Sequence, residues 1–156
     1  MAKIVSRGDA LEPCYLNNAR VGIRGWGVIS GLSVSQKAVA DMSVDVAAGN
    51  ALINDVAIAK SSTTNVAVSV ADATYDRYDI VVINDAGTIS VVAGTAAAIS
   101  YAPDYDFEVN NAIMLAVIYV PAADTAIEDA QITDKRVATI LLDGITIKRW
   151  ILTVGA

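Results

Sequence analysis

The chain has 156 residues, of which 54% are hydrophobic and 18% are charged, and its net charge is −6 at pH 7. This length is typical of a single domain, and the composition is too apolar for a disordered chain. It is also more apolar than a typical soluble domain, in which about 25% of residues are charged. The excess predicts that subunit contacts bury part of the surface.

The residue types exclude several functional classes. Histidine is absent, which excludes histidine bases, histidine zinc sites and Ser-His-Asp triads. Cys14 is the single cysteine, so no disulfide forms within the chain, and we expect it to be a small buried residue. The acidic charge disfavours nucleic acid as a partner. Without a signal-peptide core or a membrane-length apolar run, the chain is expected to be made in a cytoplasm and to have no membrane contact.

From Gly27 onward, short β-favouring runs alternate with turn residues, as in β-sandwiches and barrels. The first predicted strand runs from Val28 to Ser35, with a kink or bulge at Gly31. The second predicted strand alternates apolar and polar residues and ends at Gly49-Asn50. Its apolar face comprises Met42, Val44 and Val46.

Two further patterns follow. Residues 51–53 and 56–59 are separated by Asn54-Asp55, which predicts a tight hairpin. Residues 65–70 alternate strictly, which predicts a strand with one face in the core. The predicted core residues of that strand are Val66, Val68 and Val70.

The middle of the chain carries the clearest hairpin signal. Residues 78–83 and 88–92 are β-branched runs separated by turn formers that include Gly87. Residues 94–111 lack a clean period, and a loop of this length is typical of a functional or interface segment. Residues 112–120 are apolar at nearly every position, which predicts a strand covered on both faces.

The last part of the sequence predicts a second hairpin after a mixed segment, residues 126–136. Residues 137–142 and 145–154 flank Asp143-Gly144, a pair that favours a primed turn. Neither side of the final strand is purely polar, and one side includes Trp150. This hairpin is therefore expected to pack on the core or on a neighbouring subunit.

These elements predict an all-β chain, an antiparallel β-sandwich or a small barrel; that the chain is intertwined in a trimer is implied by the resemblance given below. Residues 1–26 lack strand alternation and are interpreted as an extended attachment arm. Residues 27–137 form the predicted core, and residues 138–156 the C-terminal hairpin. The glycine-rich stretch 22–27 lacks the strand and helix of a phosphate-binding loop, so we interpret it as a bend that lets Trp26 pack.

Two groups of polar residues are candidate sites. Asp104, Asp106 and Glu108 alternate, so they are weak candidates for holding a hard cation or for carboxylate-based hydrolysis, although a solvated acidic loop is the commoner outcome. Two Asp-Arg neighbours lie at strand or turn boundaries. They are Arg77 with Asp79, and Asp134 with Arg136. No nucleophile converges on either, so we expect the arginines to form forked hydrogen bonds that hold loop ends together.

The order of several motifs resembles a module of tailed-virus structural proteins. The strongest marker is Arg-Tyr-Asp-Ile-Val-Val at residues 77–82, followed by Gly-Thr-Ala at 94–96 and closed by Thr-Asp-Lys-Arg at 133–136. The earlier pieces include Gly-Val-Ile-Ser-Gly-Leu at 27–32 and Met-Ser-Val-Asp-Val at 42–46. Similar segments occur in tail-fibre, baseplate-associated, head-decoration and head-fibre proteins, and the resemblance covers residues 27–137.

This resemblance implies a β-rich, usually trimeric virion component without enzymatic activity or cofactor. A stand-alone module suits a capsid decoration or head-fibre protein, with major capsid or tail proteins as partners. A tail or baseplate adaptor is the alternative within the virus. From another class, a carbohydrate-binding β-sandwich would stack Tyr101, Tyr105 and Phe107 on sugar rings, so contact with a glycan or host surface stays open. The purely structural interpretation of these aromatic residues is that they form subunit contacts.

Overall fold

A computed structural model describes Val21 and residues 24–139 of the chain. Within these residues the fold is nearly all β, which confirms the predicted fold class. The strands are β1 (Gly27–Gly31), β2 (Val34–Asp41), β3 (Ser43–Val46), β4 (Gly49–Ile53), β5 (Val56–Lys60), β6 (Thr64–Ala67), β7 (Arg77–Asn84), β8 (Ile89–Val92), β9 (Ala112–Val120) and β10 (Ile132–Asp134). A short 3₁₀ turn, Asp129–Gln131, precedes β10.

The strands form three antiparallel sheets. The central sheet has the order β10-β9-β7-β8, the second sheet β2-β3-β6 and the third sheet β1-β4-β5. Strand β6 lies near β8, and β2 lies near β10, so the second sheet lies across the central sheet as in a sandwich. In the part of the chain that the structure describes, the sheets do not close into a barrel, so the structure favours the sandwich alternative.

The central sheet contains most of the core. Every residue of β9 except Tyr119 is buried, and β7 is buried from Asp79 to Ile83, because both strands are covered on both faces. The predicted hairpin is confirmed as β7 and β8. Its turn is held by the Asn84 side chain, whose Oδ1 accepts hydrogen bonds from the N–H groups of Ala86 and Thr88.

The third sheet contains the predicted hairpin of residues 51–59, formed by β4 and β5. Asn54 and Asp55 both have positive φ, 50° and 61°, as a type I′ turn requires. The prediction that Gly49-Asn50 ends the preceding strand is wrong. Strand β3 ends at Val46, and Gly49 begins β4 because it pairs with Lys60.

The first predicted strand is in fact two strands that belong to different sheets. Gly31 and Leu32 have φ values of 61° and 59°, so the chain breaks between β1 and β2, where the sequence predicted a kink. A Cβ on Gly31 would lie 2.0 Å from the carbonyl oxygen of Ala48, so a glycine is required for this close approach. The break allows Leu32 to be fully buried.

The prediction that Val70 faces the core is also wrong. Strand β6 ends at Ala67, and although Val68 is buried, Val70 is 82% exposed. The carbonyl groups of Ser69 and Val70 accept hydrogen bonds from the Arg77 side chain instead of continuing a strand ladder.

The two ends of the described region lie side by side. The N–H of Val28 donates to the carbonyl of Val137 at 2.8 Å, and the N–H of Thr139 donates to the carbonyl of Val28 at 2.9 Å. Residues 137–139 therefore lie parallel to β1. Trp26, at the end of the predicted arm, is buried as expected. Most of that arm, and the predicted hairpin beyond Thr139 with Trp150, lie outside the described residues.

Candidate functional site

The ion pair between Arg77 and Asp79 is buried at the start of β7. Their side chains are 7% and 0% exposed. Because alternate residues of a strand share a face, the two side chains lie together, and Arg77 Nε donates to both carboxylate oxygens of Asp79 at 2.9 and 3.2 Å. The guanidinium also donates to the carbonyl oxygens of Ser69 and Val70. This is the forked bonding expected from the sequence.

Asp79 extends this network to the segment after β8. Its Oδ1 accepts a hydrogen bond from the N–H of Gly94 at 3.0 Å. A Cβ on Gly94 would lie 2.1 Å from the carbonyl oxygen of Tyr78, so no larger residue fits without moving the backbone. The pair therefore ties together residues 69–70, the start of β7 and Gly94.

The second Asp-Arg pair ties β10 to the break between β1 and β2. Arg136 Nε donates to both oxygens of Asp134 at 2.9 and 3.0 Å, and its Nη1 donates to the carbonyl of Gly31 at 2.7 Å. The hydrogen bond from Arg136 lowers the pKa of Asp134. A depression of about 480 Å³ lies between these side chains and β1. These contacts hold the guanidinium of Arg136 between a carboxylate and a backbone carbonyl.

A third polar contact was not predicted from the sequence. The Tyr119 hydroxyl donates to Asp76 Oδ2 at 2.6 Å, and the N–H of Ala122 donates to Asp76 Oδ1 at 2.8 Å. The hydrogen bond from Tyr119 lowers the pKa of Asp76, and the same bond raises the pKa of Tyr119. The two residues are 43 positions apart, so no local sequence pattern predicts their contact.

The acidic run in the long loop forms a turn. Asp106 Oδ1 accepts hydrogen bonds from the N–H groups of Glu108 and Val109, both at 3.1 Å. Glu108 forms an ion pair with Arg24, with Oε1 and Nε 3.1 Å apart. Across Val21 and residues 24–139, no three acidic or cysteine side chains are placed to hold a metal ion. Among these residues, Asp104, Asp106 and Glu108 therefore do not form the cation site for which they were weak candidates.

The aromatic residues of the same loop do not form a common platform. Phe107 is fully buried and packs edge-on against Tyr105, with ring centroids 4.9 Å apart. Burial raises the pKa of the Tyr105 phenol. Tyr101 is half-exposed and lines a depression of about 330 Å³ together with Ile99. The suggestion that Phe107 stacks on a sugar ring is therefore wrong, because no face of its ring is accessible.

Several large aliphatic side chains are exposed on loops and strand ends. Val39 is 79% exposed on β2, and Ile99 and Val109 are 71% and 77% exposed in the long loop. Strand β5 exposes Val56, Ala57 and Ala59 at the edge of the third sheet. Because these surfaces present apolar atoms and a strand edge rather than reactive groups, an interaction surface is the site type they favour.

Within the described residues, no helix is long and apolar enough to cross a membrane. Comparisons with protein-family models, curated proteins and solved structures found no match to this chain.

Proposed function

We propose that the chain is a non-enzymatic virion structural protein of a tailed virus, a homotrimeric capsid decoration or head-fibre protein that binds the particle surface. The observation that carries this proposal is the position of the motif residues behind the resemblance. Arg77, Asp79, Gly94 and Arg136 all hold backbone segments together. The residues that define the module therefore hold its backbone in place, which is the role expected in a structural protein.

The charged motif residues are occupied by contacts within this scaffold. Arg77 and Asp79 are buried against each other and against backbone groups, so they present no group to a substrate. Arg136 is bonded to Asp134 and to Gly31. Catalysis needs a positioned acid, base or nucleophile next to a cavity, and the buried pair of Arg77 and Asp79 does not supply one.

The exposed apolar surface of the chain supports the proposed homotrimer. The chain has few charges for its size, and its described surface includes exposed aliphatic residues such as Val39 and Ile99. Apolar side chains and sheet edges of this kind are covered in symmetric assemblies by neighbouring subunits. The particle then supplies the second partner, a major capsid or tail protein.

The oligomeric state is tested by light scattering on the purified full chain over a dilution series. The expected species has a mass of three times 16.2 kDa. A chain that remains monomeric at every concentration would remove the trimer from the proposal.

The location is tested by immunogold electron microscopy, using an antibody against the purified chain and tailed particles induced from the organism that encodes it. Label on the heads is expected. Label on the tails would favour the adaptor alternative, and unlabelled particles would overturn the virion assignment.

A further inference from the structure

Strand β5 presents an open edge. In the other two sheets the outer strands lie near one another, β2 with β10 and β6 with β8. In the third sheet, residues 137–139 lie along β1. Strand β5 pairs with β4 on one side, and no described strand pairs with its other side. Depressions of about 250 and 270 Å³ are lined by residues of β5, so the edge is accessible.

The two-residue turn determines which backbone groups of β5 face outward. In such a hairpin the residues flanking the turn, here Ile53 and Val56, exchange both hydrogen bonds. The pairs then alternate along the ladder, so Ala57 and Ala59 occupy the positions without hydrogen bonds to β4. Their N–H and C=O groups point away from β4, and both residues are exposed. Such groups are a template for a further strand.

The sequence of β5 lacks the features that usually protect an edge. Residues 56–59 are Val-Ala-Ile-Ala, without charge or proline, and their pairing with β4 has no bulge. The one charge of the strand, Lys60, is held at its end, where Nζ donates to the carbonyl of Gly87 at 3.2 Å. The middle of the edge is therefore open to another strand.

The outward groups of β5 match those of a second copy of the same strand. When two β5 strands run antiparallel with their Ile58 residues opposite each other, Ala57 of each copy lies opposite Ala59 of the other. Both residues have outward N–H and C=O groups, so each of the two pairs exchanges both of its hydrogen bonds. Sliding one strand by two residues leaves a single such pair within the strand. The register centred on Ile58 is therefore favoured.

The side chains of β5 allow two copies to approach in this register. Ala57 and Ala59 have only methyl groups on the face that they share, so nothing bulky obstructs the incoming backbone. The two Ile58 residues form a pair without hydrogen bonds between them, the kind in which side chains lie closest. A cross-strand pair of β-branched side chains adds to the stability of such a sheet.

Charge also favours pairing between two copies of β5. The strand has an acidic residue, Asp55, just before its first residue and a basic residue, Lys60, at its last. In the antiparallel register, Lys60 of each copy lies opposite Val56 of the other and one position from its Asp55. Opposite charges therefore meet at both ends of the contact, and the two lysines lie at different ends.

We propose that the β5 edges of two copies pair antiparallel across a twofold axis through Ile58, which joins their third sheets into one continuous sheet. Both partners use the same edge, so the contact is isologous. A twofold contact does not build a threefold ring. The inference therefore goes beyond the proposed homotrimer and does not depend on it, and in the trimer this contact joins one trimer to the next.

The first test is a cross-link between isotope-labelled copies. The full chain carrying photoreactive benzoylphenylalanine at position 57 is mixed with ¹⁵N-labelled chain, irradiated and digested with trypsin. The expected product joins the unlabelled peptide that ends at Lys60 to the labelled peptide that ends at Lys60, with the link near position 59. The same probe in place of Ala73, which is exposed in a turn away from β5, is the control and should not give this product.

Links from position 57 that stay within the unlabelled chain, or that reach only other labelled segments, would overturn the proposal. Light scattering on the same protein reports separately on the trimer. A trimer without the β5 cross-link leaves the proposed homotrimer and removes the twofold contact. A chain that is not trimeric but gives the cross-link removes the homotrimer and supports the twofold contact.

The second test places proline at the open edge. Ala59→Pro removes an outward N–H and no hydrogen bond to β4, so the subunit fold is retained while strand addition is blocked. With this change in both the labelled and the unlabelled chain, the yield of the cross-link from position 57 should fall at least about tenfold. Ala73→Pro is the matched control, because a turn accepts proline there, and it should leave the yield unchanged. An undiminished yield in Ala59→Pro, with folding checked by circular dichroism, would contradict pairing through β5.

Discussion

The side chain of Asp79 is fully buried. Its negative charge is balanced by the ion pair with Arg77. Three segments converge on the pair, because Arg77 also binds the carbonyls of Ser69 and Val70 while Asp79 binds the N–H of Gly94. Removing one charge leaves the other buried without compensation, and that loss is far larger than the net gain from forming the pair.

Asp79→Asn should therefore lower the free energy of unfolding by about 3–5 kcal/mol. Asp134→Asn is the matched control, since the carboxylate of its ion pair with Arg136 is 57% exposed, and it should cost less than about 1 kcal/mol. Urea unfolding at constant m-value measures both. Equal losses in the two variants would mean that burial does not set the energy of these pairs.

The hydrogen bond between Tyr119 and Asp76 predicts a pH dependence. It lowers the pKa of Asp76 below its ordinary value of 3.8, so this stabilisation is present above pH 3.8 and is lost as the pH falls further. It raises the pKa of Tyr119 above 10.0, so that contribution is lost as the pH rises beyond 10.0. Tyr119→Phe should lose less stability than the wild type on acidification from about pH 5 to about pH 3.

The measurement is denaturant unfolding across this pH range. Asp41, Asp72 and Asp134 also have lowered pKa values and are present in both proteins, so their contribution cancels in the comparison. Parallel pH curves for the wild type and Tyr119→Phe would contradict the assignment.

At the scale of elements, the break between β1 and β2 sends the chain from the third sheet to the second. Gly31 combines a positive φ of 61° with close contact to the Ala48 carbonyl, whereas Gly25 has a φ of 83° and no heavy atom within 4 Å of the place where a Cβ would lie. Alanine at either position is strained by the left-handed backbone, but only Gly31→Ala also forces a steric overlap.

Gly31→Ala should therefore cost about 1–3 kcal/mol more than Gly25→Ala in thermal or urea unfolding. A smaller difference would mean that the β1–β2 break relaxes without cost.

Elements with local signals were predictable from the sequence. The β7–β8 hairpin has turn residues between β-branched runs, the β4–β5 hairpin has Asn54-Asp55 between two short apolar runs, and β9 is a continuous apolar run. Residues 36–41 of β2 were not predicted, because they have no alternation and their first residue is held by a distant residue. Gln36 exchanges hydrogen bonds with Asp129, 93 positions away, at 2.7 and 3.0 Å.

In the candidate site too, local contacts were predictable from the sequence and long-range contacts were not. The spacing of Arg77 and Asp79 predicts that they meet on one strand face, and they do. Their other partners, such as Gly94 and Ser69, come from segments whose approach depends on the whole fold. The acidic alternation around Asp106 was misleading, since the carboxylate binds backbone N–H groups of its own turn.

At the scale of the whole molecule, the described residues form three open sheets, and Trp26, which follows the predicted arm, is buried. We propose that the residues before Trp26 attach the trimer to the particle. A chain lacking residues 1–20 retains Trp26 and the described strands, so it should still assemble but should lose most of its occupancy on particles. Quantitative gels of purified particles measure this, and full occupancy would contradict an attachment role for the arm.

The pairing of β1 with residues 137–139 also bears on how the chain folds during its synthesis. The Thr139 hydroxyl donates to the carbonyl of Gly25, a contact across 114 positions. At a translation rate of about 5–20 residues per second, β1 waits on the order of 5–20 s for its partner to be made. During that interval its edge is unpaired and able to associate with other nascent chains. Synthesis of residues 137–139, rather than local collapse, therefore sets the earliest time at which β1 gains this pairing.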